Sequence, residues 1–354
     1  MVINQWLPAA HQGDAVGDSA RRVRNLLRAS GHDAEIYALT IDDELHGEVH
    51  PFSDPQARRG QITILHFAIA SAMSEELATL PSGRVIQYHN ITPAHFFATF
   101  EPNIAGLVRR GRQELATLAG RVDLALGDSE YNRQELEALG FPDTDVFPIA
   151  VNTERLTNAP RRPILEQLLN DGLNNILFVG RIAPNKKLED HLRLAEHYKR
   201  YVDQYYRFIF VGRQDACPRY YAALRALASE YRMPADRFWF VGPVSDAELS
   251  TYYRTARAYV SLSEHEGFCV PLVEAMATDV PILAYASTAV PETLGGAGIV
   301  FSPKDLEHAA ETLGLLMYDD ELRAHVIQGQ RNRLEHFSDT RLAAHLDQLV
   351  AKFS

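Results

Sequence analysis

Short apolar runs alternate with amphipathic stretches along this chain, and the alternation happens twice. In the first half, Val2 to Trp6, Ala34 to Leu39, Ile62 to Leu65, Val85 to Tyr88, Val122 to Leu126 and Val146 to Val151 have the length and composition of buried strands. Helical spacing predicts helices at Ala20 to Ala29, Asn103 to Leu118 and Glu130 to Leu139, the last capped by Ser129 and stopped by Gly140. The second half repeats the pattern with strands at Ile176 to Val179, Arg207 to Val211, Arg237 to Val241, Ala258 to Leu262 and Ile282 to Tyr285. Asn152 to Asn175 is rich in Asn, Pro and Arg and shows no clear strand, which marks it as an interdomain segment.

Strands separated by helices give a parallel, doubly wound sheet, so the expected fold is α/β with two Rossmann-like domains facing each other across a cleft. The expected divisions are residues 1–160, 161–335 and a terminal helix within 336–354. In the first loop Gly13 and Gly17 are four apart, so the dinucleotide fingerprint G-x-G-x-x-G is absent. Gly13, Asp14 and Gly17 would stand at the carboxyl edge of the sheet, where ligands bind; an ordinary turn with Asp18 or Ser19 as helix cap is the competing reading.

The densest chemistry lies in Ser261 to Pro291, SLSEHEGFCVPLVEAMATDVPILAYASTAVP, between two apolar runs. Gly267 reads as a turn and Pro271 as the first turn of a helix, because proline lacks only an N–H that has no partner there. The amides of Phe268, Cys269 and Val270 then point outward at the positive end of a helix dipole, an arrangement that binds phosphate. Glu266 and Glu274 flank it. An ionised carboxylate accepts both protons of a vicinal diol, so one acid suits a transferred sugar and the other a ribose. For Glu274 a plain favourable interaction with the helix dipole competes with that role, and Glu264 reads as solvated loop.

Gly180, Arg181 and Lys186 lie in the loop after another predicted strand, where Arg181 and Lys186 suit the neutralisation of a departing diphosphate; Lys187 has no such support. Val244, with Pro243, follows a further strand and suits a nucleobase. His66 and His89 each end a strand. His89 and Asn90 belong to the polar loop YHNITPAHFF, whereas for His66 a satisfied polar group and a functional one remain equally open.

Composition narrows the classes. The 354 residues carry a formal charge of −11, so there is no basic surplus for nucleic acid. The two cysteines, Cys217 and Cys269, show no metal or redox spacing, and there is no D-x-D run, so no metal and no cofactor are expected. No signal peptide or membrane span is visible, which points to a cytoplasmic protein. Arg21, Arg22, Arg24 and Arg28 on one helix and Arg109, Arg110 and Arg112 on another allow at most transient, peripheral contact with an anionic inner-membrane face; ordinary ion pairs are the alternative.

The pattern E-G-F-x-x-P-x-x-E-A-M, with Glu266 and Glu274 in an E-x7-E spacing, resembles glycosyltransferase family 4, retaining enzymes of the GT-B fold. VGRIAPNKK, FVGPVSDAEL and AVPE extend the resemblance over most of the C-terminal half; it is looser in the N-terminal half. The family more often has glycine where this chain has Cys269. The resemblance implies transfer of a hexose-type sugar from a nucleotide diphosphate sugar, GDP-mannose or a UDP-sugar, to a glycan or glycoconjugate hydroxyl. It further implies metal-independent front-face attack, with His89, Arg181, Lys186 and Glu266 as the catalytic group. The His89 loop would contact donor sugar or acceptor, and the terminal helix would cross back onto the first domain. A non-catalytic nucleotide-sugar-binding subunit, a sugar-nucleotide epimerase and a glycan phosphorylase are the alternatives on this architecture.

Overall fold

The computed structural model describes residues 1–81 and 83–353 and divides into two compact units. The first unit comprises Met1–His95, Asn103–Asn152 and the chain from His336 onward; the second comprises Phe96–Pro102 and Thr153–Glu335. The chain thus passes into the second unit after Asn152 rather than at residue 160.

Among the described residues the first unit is built on seven strands: β1 Val2–Ala10, β2 Asp33–Ile41, β3 His50–Pro51, β4 Ile62–Phe67, β5 Arg84–Tyr88, β6 Leu124–Gly127 and β7 Thr144–Val146. Their order is β3-β2-β1-β4-β5-β6-β7, and every pairing is parallel. Such a sheet must be covered on both faces. Accordingly β4 is buried at every residue, sending Ile62 and Ile64 into one apolar cluster and Leu65 and Phe67 into the other. The helix Asp339–Ala351 adds Leu342, Leu346, Leu349 and Val350 to the first of these, beside Val23 and Leu27 of the helix Ala15–Ala29. That one-sided spacing, and an Arg22–Asp339 ion pair at 2.7 Å, dock the end of the chain on the first unit.

The second unit carries six parallel strands: β8 Asn174–Val179, β9 Tyr206–Val211, β10 Phe238–Gly242, β11 Ala256–Ser261, β12 Ile282–Tyr285 and β13 Ile299–Phe301, in the order β10-β9-β8-β11-β12-β13. Gly180 and Gly212 end β8 and β9 so closely that a Cβ on Gly212 would lie 2.0 Å from the Gly180 carbonyl oxygen. Only glycine permits that approach, at a φ of +146° for Gly212. The excursion Phe96–Pro102 packs in this unit as well, with the Phe100 ring 5.2 Å from Tyr220 and Glu101 accepting from the Arg219 N–H at 3.2 Å.

The observed elements differ from the expected ones at several points. The last strand of the first sheet is Thr144–Val146, not Val146 to Val151, because Pro148 has no N–H to give a ladder. Strands β3 and β13 are too short to show alternation. The first helix starts at Ala15, not Ala20: β1 runs on to Ala10, and Asp14 caps the helix by accepting from the Gly17 N–H at 3.1 Å.

Candidate active site

Strand order reverses in the second sheet between β8 and β11, whose following loops diverge; ligands bind at such a point outside the carboxyl ends of the strands. The two loops are Gly180–Lys187 and Leu262–Cys269, and Asn185 joins them. Its side-chain amide donates to the His265 carbonyl at 3.0 Å, and its own carbonyl accepts from the Glu264 N–H at 2.9 Å. Lys186 Nζ then lies 2.6 Å from both oxygens of Glu266, whose side chain is only 8% exposed. A carboxylate this buried needs a cation, and Lys186 supplies it. Arg181 is exposed and forms no ion pair among the described residues. Lys187 turns to Glu264 at 3.3 Å, and Lys304 reaches Glu264 at 3.1 Å, so Glu264 belongs to an ion-pair cluster rather than to solvated loop.

The helix Val270–Ala277 begins with Cys269 as its N-cap at φ 73°, ψ 66°, in the left-handed region. Among the described residues, the amides of Cys269 and Val270 have no acceptor within the protein. Two threonines hold the turn. Thr288 Oγ1 accepts from the Glu266 N–H and donates to the Glu266 carbonyl, both at 2.8 Å; Thr293 Oγ1 donates to the Phe268 carbonyl at 2.5 Å. Burial, reinforced by the charge of Glu266, pushes the Cys269 thiol well above its ordinary range, so it stays protonated and its role is conformational.

Glu274 lies inside the same helix and is 2% exposed. Arg155 forms an ion pair with one of its oxygens and a second with Asp246, while the Tyr253 hydroxyl donates to the other oxygen at 2.8 Å. Burial raises the Glu274 carboxyl above its ordinary range, although Arg155 and Tyr253 both pull it down. Val244 follows β10 and packs, half-buried, against the core. Asn185, Thr288, Thr293, Tyr253 and Arg155 escaped the sequence reading. The first three lie within or next to the motifs it used; Arg155 and Tyr253 reach the site only through folding.

In the first unit the order reverses between β1 and β4. Gly13 (φ 74°) and Asp14 follow β1, and Gly17 lies within the first turn of the helix, against the expected open loop. His89 follows β5. Its side chain is 2% exposed, and both ring nitrogens are engaged, Nδ1 by Asp128 Oδ2 at 2.9 Å and Nε2 by His66 Nδ1 at 2.8 Å. His66 is fully buried with both ring nitrogens engaged, Nδ1 by His89 and Nε2 by Gln5, and burial holds its imidazole well below the ordinary histidine range. Asn90 adopts φ 66° and donates to Asn132 at 2.9 Å and Glu135 at 3.0 Å. Arg21, Arg22 and Arg28 are ion-paired within the unit to Asp18, Asp339 and Glu35, and Arg24 donates to a backbone carbonyl.

Residues 163–333 match the family model described as glycosyl transferases group 1. That stretch contains Gly180–Lys187, Val244, Tyr253, Leu262–Glu274, Thr288 and Thr293, but not Arg155. Among curated relatives, the O-antigen chain mannosyltransferase B of Escherichia coli is 36% identical over 84 residues, 24% of this chain and 22% of that protein, so the match spans about a fifth of its length. The D-inositol 3-phosphate glycosyltransferase of Xylanimonas cellulosilytica is 29% identical over 349 residues, 95% of this chain and 77% of that one. The Anabaena protein HepE, solved in complex with UDP and glucose, superimposes with a TM-score of 0.77 at 14% identity, covering 99% of this chain and 100% of its own. The fold is thus that of GT-B glycosyltransferases.

Two outcomes test this geometry. A non-glycine residue in the left-handed region stores about 1–3 kcal/mol, most for β-branched side chains. Replacing Cys269 with Gly relieves that strain but loses a buried thiol, so its stability in denaturant titration should stay within about 1 kcal/mol of wild type, whereas Cys269→Val should cost about 2 kcal/mol or more. Equal effects would mean that the left-handed turn is not formed. The second concerns Glu274. A carboxyl raised on folding contributes its full stability below the ordinary carboxylate range and loses it as pH rises through the folded value. Glu274→Gln keeps an acceptor for Arg155 and removes that loss, so its melting temperature relative to wild type should rise between pH 4 and pH 7. A relative fall over that range would mean the Arg155 pair outweighs burial.

Proposed function

We propose that this chain is a retaining glycosyltransferase whose second unit binds a nucleotide diphosphate sugar. The observation that carries this reading is the arrangement of Lys186, Glu266 and the Cys269 and Val270 amides around one strand-order reversal. The amides and Lys186 receive the diphosphate, with the exposed Arg181 adding a second cation as charge develops on the leaving group. Glu266, released from Lys186 when phosphate takes its place, accepts from hydroxyls of the transferred sugar. Glu274 accepts from the ribose, and Pro243 and Val244 cover the base. The names of the relatives support a glycosyl donor, mannosyl for the E. coli protein and UDP-linked for HepE. They also support a glycan or other polyol-bearing acceptor, which in this reading is received by the carboxyl-edge loops of the first unit.

Transfer breaks the bond between the anomeric carbon and the diphosphate oxygen and forms one to the acceptor oxygen on the same face. The acceptor proton passes to the departing phosphate oxygen. No carboxylate nucleophile is needed, and Lys186 and Arg181 stabilise the leaving group without a metal. No described helix is long and apolar enough to cross a membrane.

The reading divides the roles of the two acids. Glu266→Gln weakens the hold on Lys186 and leaves the phosphate contacts in place, so calorimetry should show free nucleoside diphosphate binding at least as tightly as in wild type. Turnover of the preferred donor, found by slow hydrolysis across a panel that includes GDP-mannose and UDP-glucose, should fall about 100-fold, the scale of losing one transition-state contact. Parallel losses in both measurements would assign Glu266 to the nucleotide instead. Unchanged turnover in 5 mM EDTA, about the concentration that strips weakly held divalent ions, is expected if the cations replace a metal.

A further inference from the structure

The buried side chains at the carboxyl edge of the first sheet form one hydrogen-bonded chain whose ends are fixed by backbone carbonyls. At one end Gln5 Nε2 donates to the Ala20 carbonyl at 2.9 Å, which leaves Gln5 Oε1 facing His66 Nε2 at 2.9 Å. A carbonyl can only accept, so Gln5 cannot turn over, and His66 Nε2 must carry a proton. At the other end Gln87 Nε2 donates to the Phe147 carbonyl at 3.3 Å and to Asp128 Oδ1 at 3.1 Å. Two contacts remain, His66 Nδ1 to His89 Nε2 at 2.8 Å and His89 Nδ1 to Asp128 Oδ2 at 2.9 Å.

Each of the three contacts made by these titratable groups needs one proton. Two neutral imidazoles and a carboxylate hold only two. The third must therefore sit on the chain, and it removes a second difficulty. His66, Asp128 and the His89 side chain are 0%, 1% and 2% exposed, and with two protons they would bury a net negative charge. Among the described residues no other charged side chain bonds to them.

We propose that His89 is an imidazolium paired with the Asp128 carboxylate, both of its ring N–H groups donating, and that it positions the loop after β5 instead of acting as a base. His66, neutral, receives the His89 Nε2–H and donates to Gln5. The fixed ring anchors a backbone that is itself tied down, with the His89 N–H on the Phe67 carbonyl at 3.0 Å and Asn90 in the left-handed region. The loop then offers a substrate its backbone and the Asn90 and Thr92 side chains, while the Ile91 side chain stays in the core and the acceptor proton goes to the leaving phosphate. That consequence rests on the glycosyl-transfer reading; the proton count does not.

Nitrogen NMR of the full chain labelled with ¹⁵N-histidine at pH 7 tests it without substrate, with His66→Gln and His89→Gln assigning the signals. Both His89 nitrogens should appear protonated and His66 Nδ1 as a lone pair; a lone pair on either His89 nitrogen overturns the proposal. Asp128→Asn offers an N–H to His89 Nδ1, so the chain closes with two protons. In that variant His89 Nδ1 should become a lone pair while Nε2 keeps its proton, and two protonated nitrogens would contradict the count. Should an assigning variant not fold, neutron diffraction from deuterium-exchanged wild-type crystals reads the same atoms. Deuterium on both His89 nitrogens supports the proposal; deuterium on Asp128, or on only one His89 nitrogen, refutes it. Because substrate is absent, a failure to find any donor turnover would count against the transferase reading alone.

Discussion

The pairing of Glu266 with Lys186 is the constraint that the candidate site of the second unit depends on. A carboxylate 8% exposed would be strongly destabilising alone, so the loop after β8 must deliver its lysine to the loop after β11. That requirement accounts for the detail around it. Gly180 and Gly212 let the ends of β8 and β9 approach beside it, Asn185 ties the β8 and β11 loops together, and Thr288 holds the Glu266 backbone from both sides. In the proposed reading a diphosphate competes with Glu266 for Lys186, and hydroxyls of the bound sugar then donate to the carboxylate that Lys186 has left.

The same economy of charge recurs at the other buried acids. Glu274 is held by Arg155 and Tyr253, and Asp128 by His89 and Gln87. Each carboxylate has its acceptor capacity partly filled by the protein, which fixes its orientation and leaves lone pairs for hydroxyls only where the protein stops. Cys269 shows how far backbone geometry dominates. A side chain that disfavours the left-handed region occupies it because the helix amides must face outward at that point, and its thiol, buried and protonated, contributes packing alone.

Much of the fold and half of the site were legible in sequence. Apolar runs such as Ile62 to Leu65 and Ile282 to Tyr285 mark strands, because parallel sheets bury both faces. Gly267, Pro271 and the spacing of the two glutamates mark the helix terminus. The failures have physical causes. His50–Pro51 and Ile299–Phe301 are too short for a period to show, and Asp14 outcompeted Asp18 as a cap once β1 ran on to Ala10. Glu264 reads as solvent-facing until Lys304, forty residues on, is brought beside it. Arg155, Tyr253 and Asp128 carry no local signature, since their roles arise from contacts made across long stretches of chain.

The central claim is that the Cys269 and Val270 amides, beside Lys186, receive the diphosphate. Hydrogen–deuterium exchange of the full chain with and without saturating nucleoside diphosphate measures those amides directly. A peptide covering Glu266–Val273 should exchange more slowly when nucleotide is bound, together with one covering Gly180–Lys187, because both loops contact the same phosphates. Binding that protects neither segment would contradict the account.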